Sequence, residues 1–179
     1  VQQEMVKALK ATGKPVVYVL CTGSALALNW EDANIDAILN AWYGGQEAGT
    51  AVADILFGDY NPSGRLPVTF YKSIDQLPDF EDYSMKGRTY NYMNETQIYT
   101  LGYGLSYTNF AYRNAKLSSG KITKDQSVTL TFDIANTGKM DGDEVAQIYI
   151  KNPNDPEGPI KALKAFLRVH VKAGDSQEV

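Results

Sequence analysis

The hydrophobic period of this chain changes near Phe110, and that change limits the folds open to it. Before that point, short apolar runs rich in β-branched residues alternate with helical patterns. After it, apolar and polar residues alternate one by one, the signature of half-buried strands. The reading is an α/β portion followed by an all-β portion.

In the first portion, Met5, Ala8, Leu9 and Thr12 recur at helical spacing, and Gly13 with Lys14-Pro15 forms a stop signal. Val16-Val-Tyr-Val-Leu-Cys21 is a continuous apolar run suited to a strand covered on both faces. Residues 37–43 read as a second such strand, although periodicity alone also allows a helix. Ala48, Ala51, Val52, Ile55 and Leu56 then mark a helix beginning near Gln46, which Gly58 is placed to close as a left-handed cap. A turn cluster at 59–64 leads into extended structure at 66–70. Units of this kind build a mostly parallel sheet with helices on its faces.

Residues 72–108 hold no period, and such a stretch inside a compact protein is usually functional or an interface. Beyond Phe110, Val128, Leu130, Phe132 and Ile134 alternate with polar partners, Asn136-Thr-Gly138 turns the chain, and residues 144–150 form another strand. Leu163, Ala165, Leu167, Val169 and Val171 alternate once more. The pattern is that of an antiparallel β-sandwich with three or four strands in place, against about seven in a complete one. The expected organisation is an α/β portion at 1–71, an irregular connection at 72–109 and a truncated sandwich at 110–179.

Composition narrows the chemistry. Hydrophobic residues make up 44 %, enough for a core. The net charge of −4 comes without a basic stripe, which argues against a nucleic-acid partner. No apolar run is long enough to span a membrane. One cysteine, Cys21, and one histidine, His170, leave no transition-metal site and no internal disulfide. His170 falls with Lys164, Arg168 and Lys172 on a polar strand face, so a solvent-facing role is expected. Asp141-Gly-Asp-Glu144 lacks calcium-loop spacing and reads as a turn entering a strand. The glycines at 44–45 and 102–104 read as turns. The neighbouring pairs Glu31-Asp32, Glu81-Asp82 and Asp143-Glu144 are poor candidates for two carboxyl groups facing across a sugar. Trp30, Trp42 and the tyrosines of 83–107 offer faces that stack on sugar rings or pack in a core. The residues alone leave the function open.

Four segments, in order, resemble family 3 glycoside hydrolases: Gly13-Lys-Pro-Val-Val17, Trp42-Tyr-Gly-Gly-Gln-Glu-Ala-Gly49, Ala53-Asp-Ile-Leu-Phe-Gly-Asp-Tyr-Asn-Pro-Ser-Gly-Arg-Leu-Pro-Val-Thr-Phe70 and Leu101-Gly-Tyr-Gly-Leu-Ser-Tyr-Thr108. Glu81-Asp-Tyr-Ser-Met-Lys-Gly-Arg-Thr-Tyr90 is similar to a subset that includes bacterial β-glucosidases and β-xylosidases. Val145-Ala-Gln-Ile-Tyr149 and Ile160-Lys-Ala-Leu-Lys-Ala-Phe166 resemble the family's fibronectin type III-like module. Two positions depart from the pattern. Cys21 stands where many relatives carry a polar residue, and Asn91 interrupts a Tyr-Arg-Tyr motif.

The resemblance implies a parent enzyme with a barrel domain, an α/β sandwich domain and the fibronectin-like module. It would hydrolyse terminal β-glycosidic bonds of oligosaccharides or glycosides with retention, through a covalent intermediate and without a cofactor. The nucleophilic Asp and the acid/base Glu have no counterpart here, so the chain is expected to begin inside the second domain, end inside the third and carry no catalytic residue. Its expected contribution is cleft wall and domain interface, with Arg88, Tyr90 and Tyr92 as the residues nearest the sugar. The rival readings are a non-catalytic carbohydrate-binding module and a structural spacer. An incomplete sandwich implies marginal stability for the isolated chain. The parent is expected in the periplasm or secreted. The sugar, glucose or xylose, and the oligomeric state are not legible.

Overall fold

The computed structural model describes all 179 residues, which form two compact units. The first comprises residues 1–56, 66–103 and 151–162, and the second residues 57–65, 104–150 and 163–179.

The first unit opens with α1 (Gln2–Lys10), whose Glu4 lies in the first turn and Lys7 and Lys10 in the last, each opposing the helix dipole. Its buried residue is Val6, while Met5 and Leu9 stay exposed. The inward face is therefore not the one the Met5–Leu9 spacing predicts. β1 (Val17–Leu20) pairs in parallel with β2 (Ala37–Asn40), with α2 (Asn29–Asn34) between them. The second strand thus takes the extended alternative, and it is short. Asp36 pins its entry: Oδ2 accepts the Val16 amide at 2.8 Å and Lys10 Nζ at 2.9 Å. Those bonds hold the Asp36 carboxyl below its ordinary pKa.

α3 (Ala48–Phe57) stands where its period places it, and Gly58 follows at φ +84°. None of its residues is fully buried, and Leu56 and Phe57 are exposed. Residues 66–70 are extended but form no strand. They run against 98–103, with Leu66 N donating to Tyr103 O, Gly102 N to Leu66 O and Phe70 N to Tyr99 O, at 2.7–2.8 Å. The irregular stretch holds one 3₁₀ turn (Ile74–Gln76) and a single helical turn, α4 (Thr89–Tyr92). Leu20, Leu28 and Phe70 form the core, with Trp42 and Tyr99 edge-on to Phe70.

The second unit has five strands rather than three or four: β3 (Phe110–Leu117), β4 (Leu130–Asn136), β5 (Gly142–Ile150), β6 (Ala162–Val171) and β7 (Ser176–Glu178). β4 is central to an antiparallel sheet, flanked by β3 and β7; β5 and β6 form a second sheet. The extra strands are β3, whose polar residues mask the period, and β7, which is too short to show one. The core is Phe132, Ile134, Ala146, Val169 and Val171. Ala165 and Leu167 continue the alternation of β6 but remain exposed, and Val128 lies outside the strands. Asn136, 1 % exposed, ties the turn after β4. Its Oδ1 accepts Thr108 Oγ1 and the Gly138 amide, and its Nδ2 donates to Met140 O and Val171 O.

Candidate functional site

An open cleft of about 790 Å³ lies in the first unit. One wall comes from the turn after β1 (Gly23, Ser24, Ala25) and from Trp42 just beyond β2. This is the carboxyl end of the parallel pair, where open α/β sheets bind ligands. The other wall comes from Pro67, Val68, Thr69 and Tyr71 and from Met85, Thr89, Tyr90, Asn91 and Leu101.

The backbone of both walls is unusual. Trp42 and Thr89 both have φ +54°, in the left-handed region that a residue with a side chain rarely adopts. Each such residue costs on the order of 1–3 kcal/mol, and strain of this kind clusters at binding sites. Thr89 is held there by two hydrogen bonds: its amide donates to the Tyr71 hydroxyl at 3.0 Å, and its Oγ1 accepts the Asn91 amide at 3.3 Å. The Tyr90 amide donates to Thr69 Oγ1 at 3.2 Å. Asn91 Oδ1 is buried without a hydrogen-bond partner, as are both side-chain polar atoms of Asn40 at the end of β2.

Of the three residues proposed from sequence, Tyr90 and Tyr92 lie in α4 and Arg88 at its N-cap position, and only Tyr90 lines the cleft. Arg88 caps α4 and faces its own loop. Its guanidinium donates to the carbonyl oxygens of Ser84 at 3.0 Å, Asp79 at 3.2 Å and Asp82 at 2.5 Å. It therefore braces residues 79–84, whose Phe80 and Tyr83 are almost fully exposed. The amide of Tyr92 donates to Arg88 O. Trp42 is legible in the sequence as a stacking candidate. Ser24, Thr69 and Tyr71 are not, because Ser24 stands in the turn after β1 while Thr69 and Tyr71 come from a segment nearly fifty residues further along that no period joins to it.

Most of the paired carboxylates have structural partners. Asp32 accepts the Tyr99 hydroxyl at 2.5 Å; burial first, and then this bond, push the Tyr99 phenol upward. Asp82 accepts the Ser84 amide at 2.8 Å, which lowers its pKa. In the second unit Glu144 accepts Arg65 Nη2 at 2.6 Å and Tyr112 Oη at 2.8 Å. Burial and Glu144 push the Tyr112 phenol upward. Asp143 is clamped between Arg168 and His170, with His170 Nδ1 at 2.6 Å from Oδ1. Burial pushes the Asp143 carboxyl up, but the bonds from His170 and Arg168 outweigh it and hold the group below its ordinary value. Arg168 also donates to the Tyr60 hydroxyl. His170 is solvent-exposed as expected, yet its Nδ1 is in hydrogen-bond contact with Asp143 Oδ1, which its strand position does not reveal. No group of three or more His, Cys, Asp or Glu side chains is placed to hold a metal ion, and no helix is long and apolar enough to cross a membrane.

This arrangement, an α/β unit with a charge-free cleft and a unit of antiparallel strands, defines an α/β protein joined to a fibronectin-like portion. Residues 1–107 match the glycosyl hydrolase family 3 C-terminal domain, and residues 144–179 the fibronectin type III-like domain. The chain belongs to glycosyl hydrolase family 3. It is 55 % identical over 174 residues to a xylan 1,4-beta-xylosidase of Xylanibacter ruminicola, covering 97 % of this chain and 20 % of that protein. It is 42 % identical over 191 residues to a periplasmic beta-glucosidase of Salmonella typhimurium, covering 99 % of this chain and 25 % of that protein. Its fold is similar to that of a β-glucosidase from Erythrobacter marinus, with a TM-score of 0.87 and 38 % identity, over 99 % of this chain and 24 % of the other. The chain thus spans about a fifth to a quarter of the length of the relatives it matches.

Proposed function

We propose that this chain is part of an exo-acting, retaining β-glycosidase, a β-xylosidase or β-glucosidase, that removes terminal β-linked sugars from oligosaccharides. The observation that carries the reading is the 55 % identity, over 97 % of the chain, to a protein named xylan 1,4-beta-xylosidase. Retaining hydrolysis needs two carboxyl groups about 5–5.5 Å apart, one a nucleophile and one an acid/base. In this reading both lie outside the chain, which supplies cleft wall and the interface with the rest of the enzyme. Residues 1–71 belong to the α/β sandwich domain, 72–109 connect, and 110–179 belong to the fibronectin-like portion. Tyr90 approaches the substrate through the cleft, whereas Arg88 and Tyr92 shape its rim through the backbone of residues 79–92. The structural engagement of Asp32, Asp82, Asp143 and Glu144 favours this division of labour. The test is nitrophenol release from aryl β-xyloside and aryl β-glucoside, by this chain and by the protein extended through its upstream coding sequence. A silent chain beside an active extended protein is expected. Turnover by residues 1–179 alone would sink the proposal.

A further inference from the structure

The connection between β5 and β6 belongs to the first unit, whereas nearly all of both strands belongs to the second. Residues 151–161 are stiff for a connection. Pro153, Pro156 and Pro159 each fix their own φ. Asn152 Oδ1 accepts the Asn154 amide at 3.1 Å and Asp155 Oδ1 accepts the Glu157 amide at 3.2 Å, so each of these side chains folds its own turn. The first amide after the last proline is that of Ile160, and it donates to Asn91 O at 2.6 Å. Lys86 Nζ stands 3.5 Å from Glu157 Oε2, but both side chains are exposed and the pair contributes little. The acceptor lies in α4, a single turn of four residues that is too short to hold itself and whose last carbonyls have no partners within the turn. Thr89, Tyr90 and Asn91 of that turn line the cleft. Its first residues are tied by the Thr89 amide to Tyr71 and by the Tyr90 amide to Thr69. Toward its end, the Asn91 carbonyl takes its bond from Ile160. Asn91 Oδ1 already lacks a partner, so loss of the Ile160 amide would strip the residue's other oxygen as well.

We infer that the β5–β6 connection is a strap that sets the position of α4 in the cleft wall, with the Ile160 amide as its point of attachment. Ile160 is a positioning residue: it does not line the cleft, and it acts through Asn91 on Tyr90 and Thr89, which do. The inference rests on the glycosidase reading for its effect on turnover and goes beyond it in giving residues 151–161 a task at the cleft. The attachment runs through the backbone, so it survives a change of the Ile160 side chain but not the loss of its N–H.

The test uses the upstream-extended protein, with Ile160→Pro to delete the amide and Ile160→Val to keep it. Hydrogen exchange over residues 86–93, read by mass spectrometry, is expected to quicken in Ile160→Pro and to match the wild type in Ile160→Val. With aryl β-xyloside or aryl β-glucoside, Ile160→Pro is expected to raise KM about tenfold, the effect of one lost hydrogen bond, and to change kcat less. A merely structural loss lowers the active fraction, and so the apparent kcat, without moving KM. Where Ile160→Pro does not fold, the double variant Pro156→Gly with Pro159→Gly decides: it keeps the Ile160 amide but loosens the strap, and should quicken the same exchange and raise KM about threefold. Exchange or KM at the wild-type value in the deciding variant overturns the inference, as does an Ile160→Val protein that behaves like Ile160→Pro. An extended protein inactive on both aryl glycosides removes the glycosidase reading, and the exchange measurement then decides the strap by itself.

Discussion

The ion pair between Arg65 and Glu144 gives the most quantitative test of how the second unit is held together. Their side chains are each 12 % exposed, so the pair lies largely out of water. Arg65 Nη1 also donates to Ser63 O and Gly64 O, and Glu144 Oε1 also accepts Tyr112. Breaking a buried pair from one side costs about 3–5 kcal/mol, because the remaining charge is left desolvated. In Arg65→Met, Glu144 keeps its bond to Tyr112, so the expected loss is at the lower end, roughly 2–4 kcal/mol. Glu144→Gln keeps volume and the Tyr112 contact, and the Arg65 guanidinium keeps two carbonyls, so its loss is smaller, about 1–2 kcal/mol. The double variant removes both charges and should cost less than the sum, with a coupling of about 1–2 kcal/mol. Urea unfolding followed by amide exchange in β4 and β5 reads this unit directly. With an m-value of about 2 kcal/mol/M, Arg65→Met should lower the midpoint by roughly 1–2 M. Strict additivity of the two single variants would refute the reasoning and make the pair an ordinary surface bridge.

The Asp143 clamp predicts a pH dependence. Its folded pKa is depressed, so the stability it contributes is present above the ordinary carboxylate value and lost as pH falls through the lower folded one. The stability gap between the wild type and Asp143→Asn should therefore be open at neutral pH and close below about pH 4, measured by denaturant titration at a series of pH values. Gly58 sits at φ +84° with open space where a side chain would stand. Gly58→Ala should therefore cost about 1–2 kcal/mol from backbone alone, visible in a thermal melt, and Gly58→Asn less. Ile134 is 0 % exposed, so Ile134→Ala should cost about 2–5 kcal/mol. Leu167→Ser, at a position 53 % exposed, should stay within about 0.5 kcal/mol in the same melt.

The sequence by itself determined the local elements. The period of 3.6 at Ala48, Ala51, Val52 and Ile55 and the left-handed demand at Gly58 fix α3 and its end. Alternation fixes β4, and the short β-branched run fixes β1. These signals are legible because each arises between residues a few positions apart. The face α1 buries, the strands β3 and β7, and the exposure of Leu167 were decided by packing against distant segments. So were the partners of the polar groups. Arg65 meets Glu144 across 79 residues and Asp143 meets His170 across 27. The cleft joins the turn after β1 to Thr69, Tyr71, Met85 and Thr89–Asn91, which no period connects. Arg88 shows the division within one residue: its place beside Tyr90 is visible in the chain, but a guanidinium turned back onto three carbonyls of its own loop is a property of the folded backbone. Charge and residue type are written in the sequence, whereas the direction of a hydrogen bond depends on where the chain returns in space.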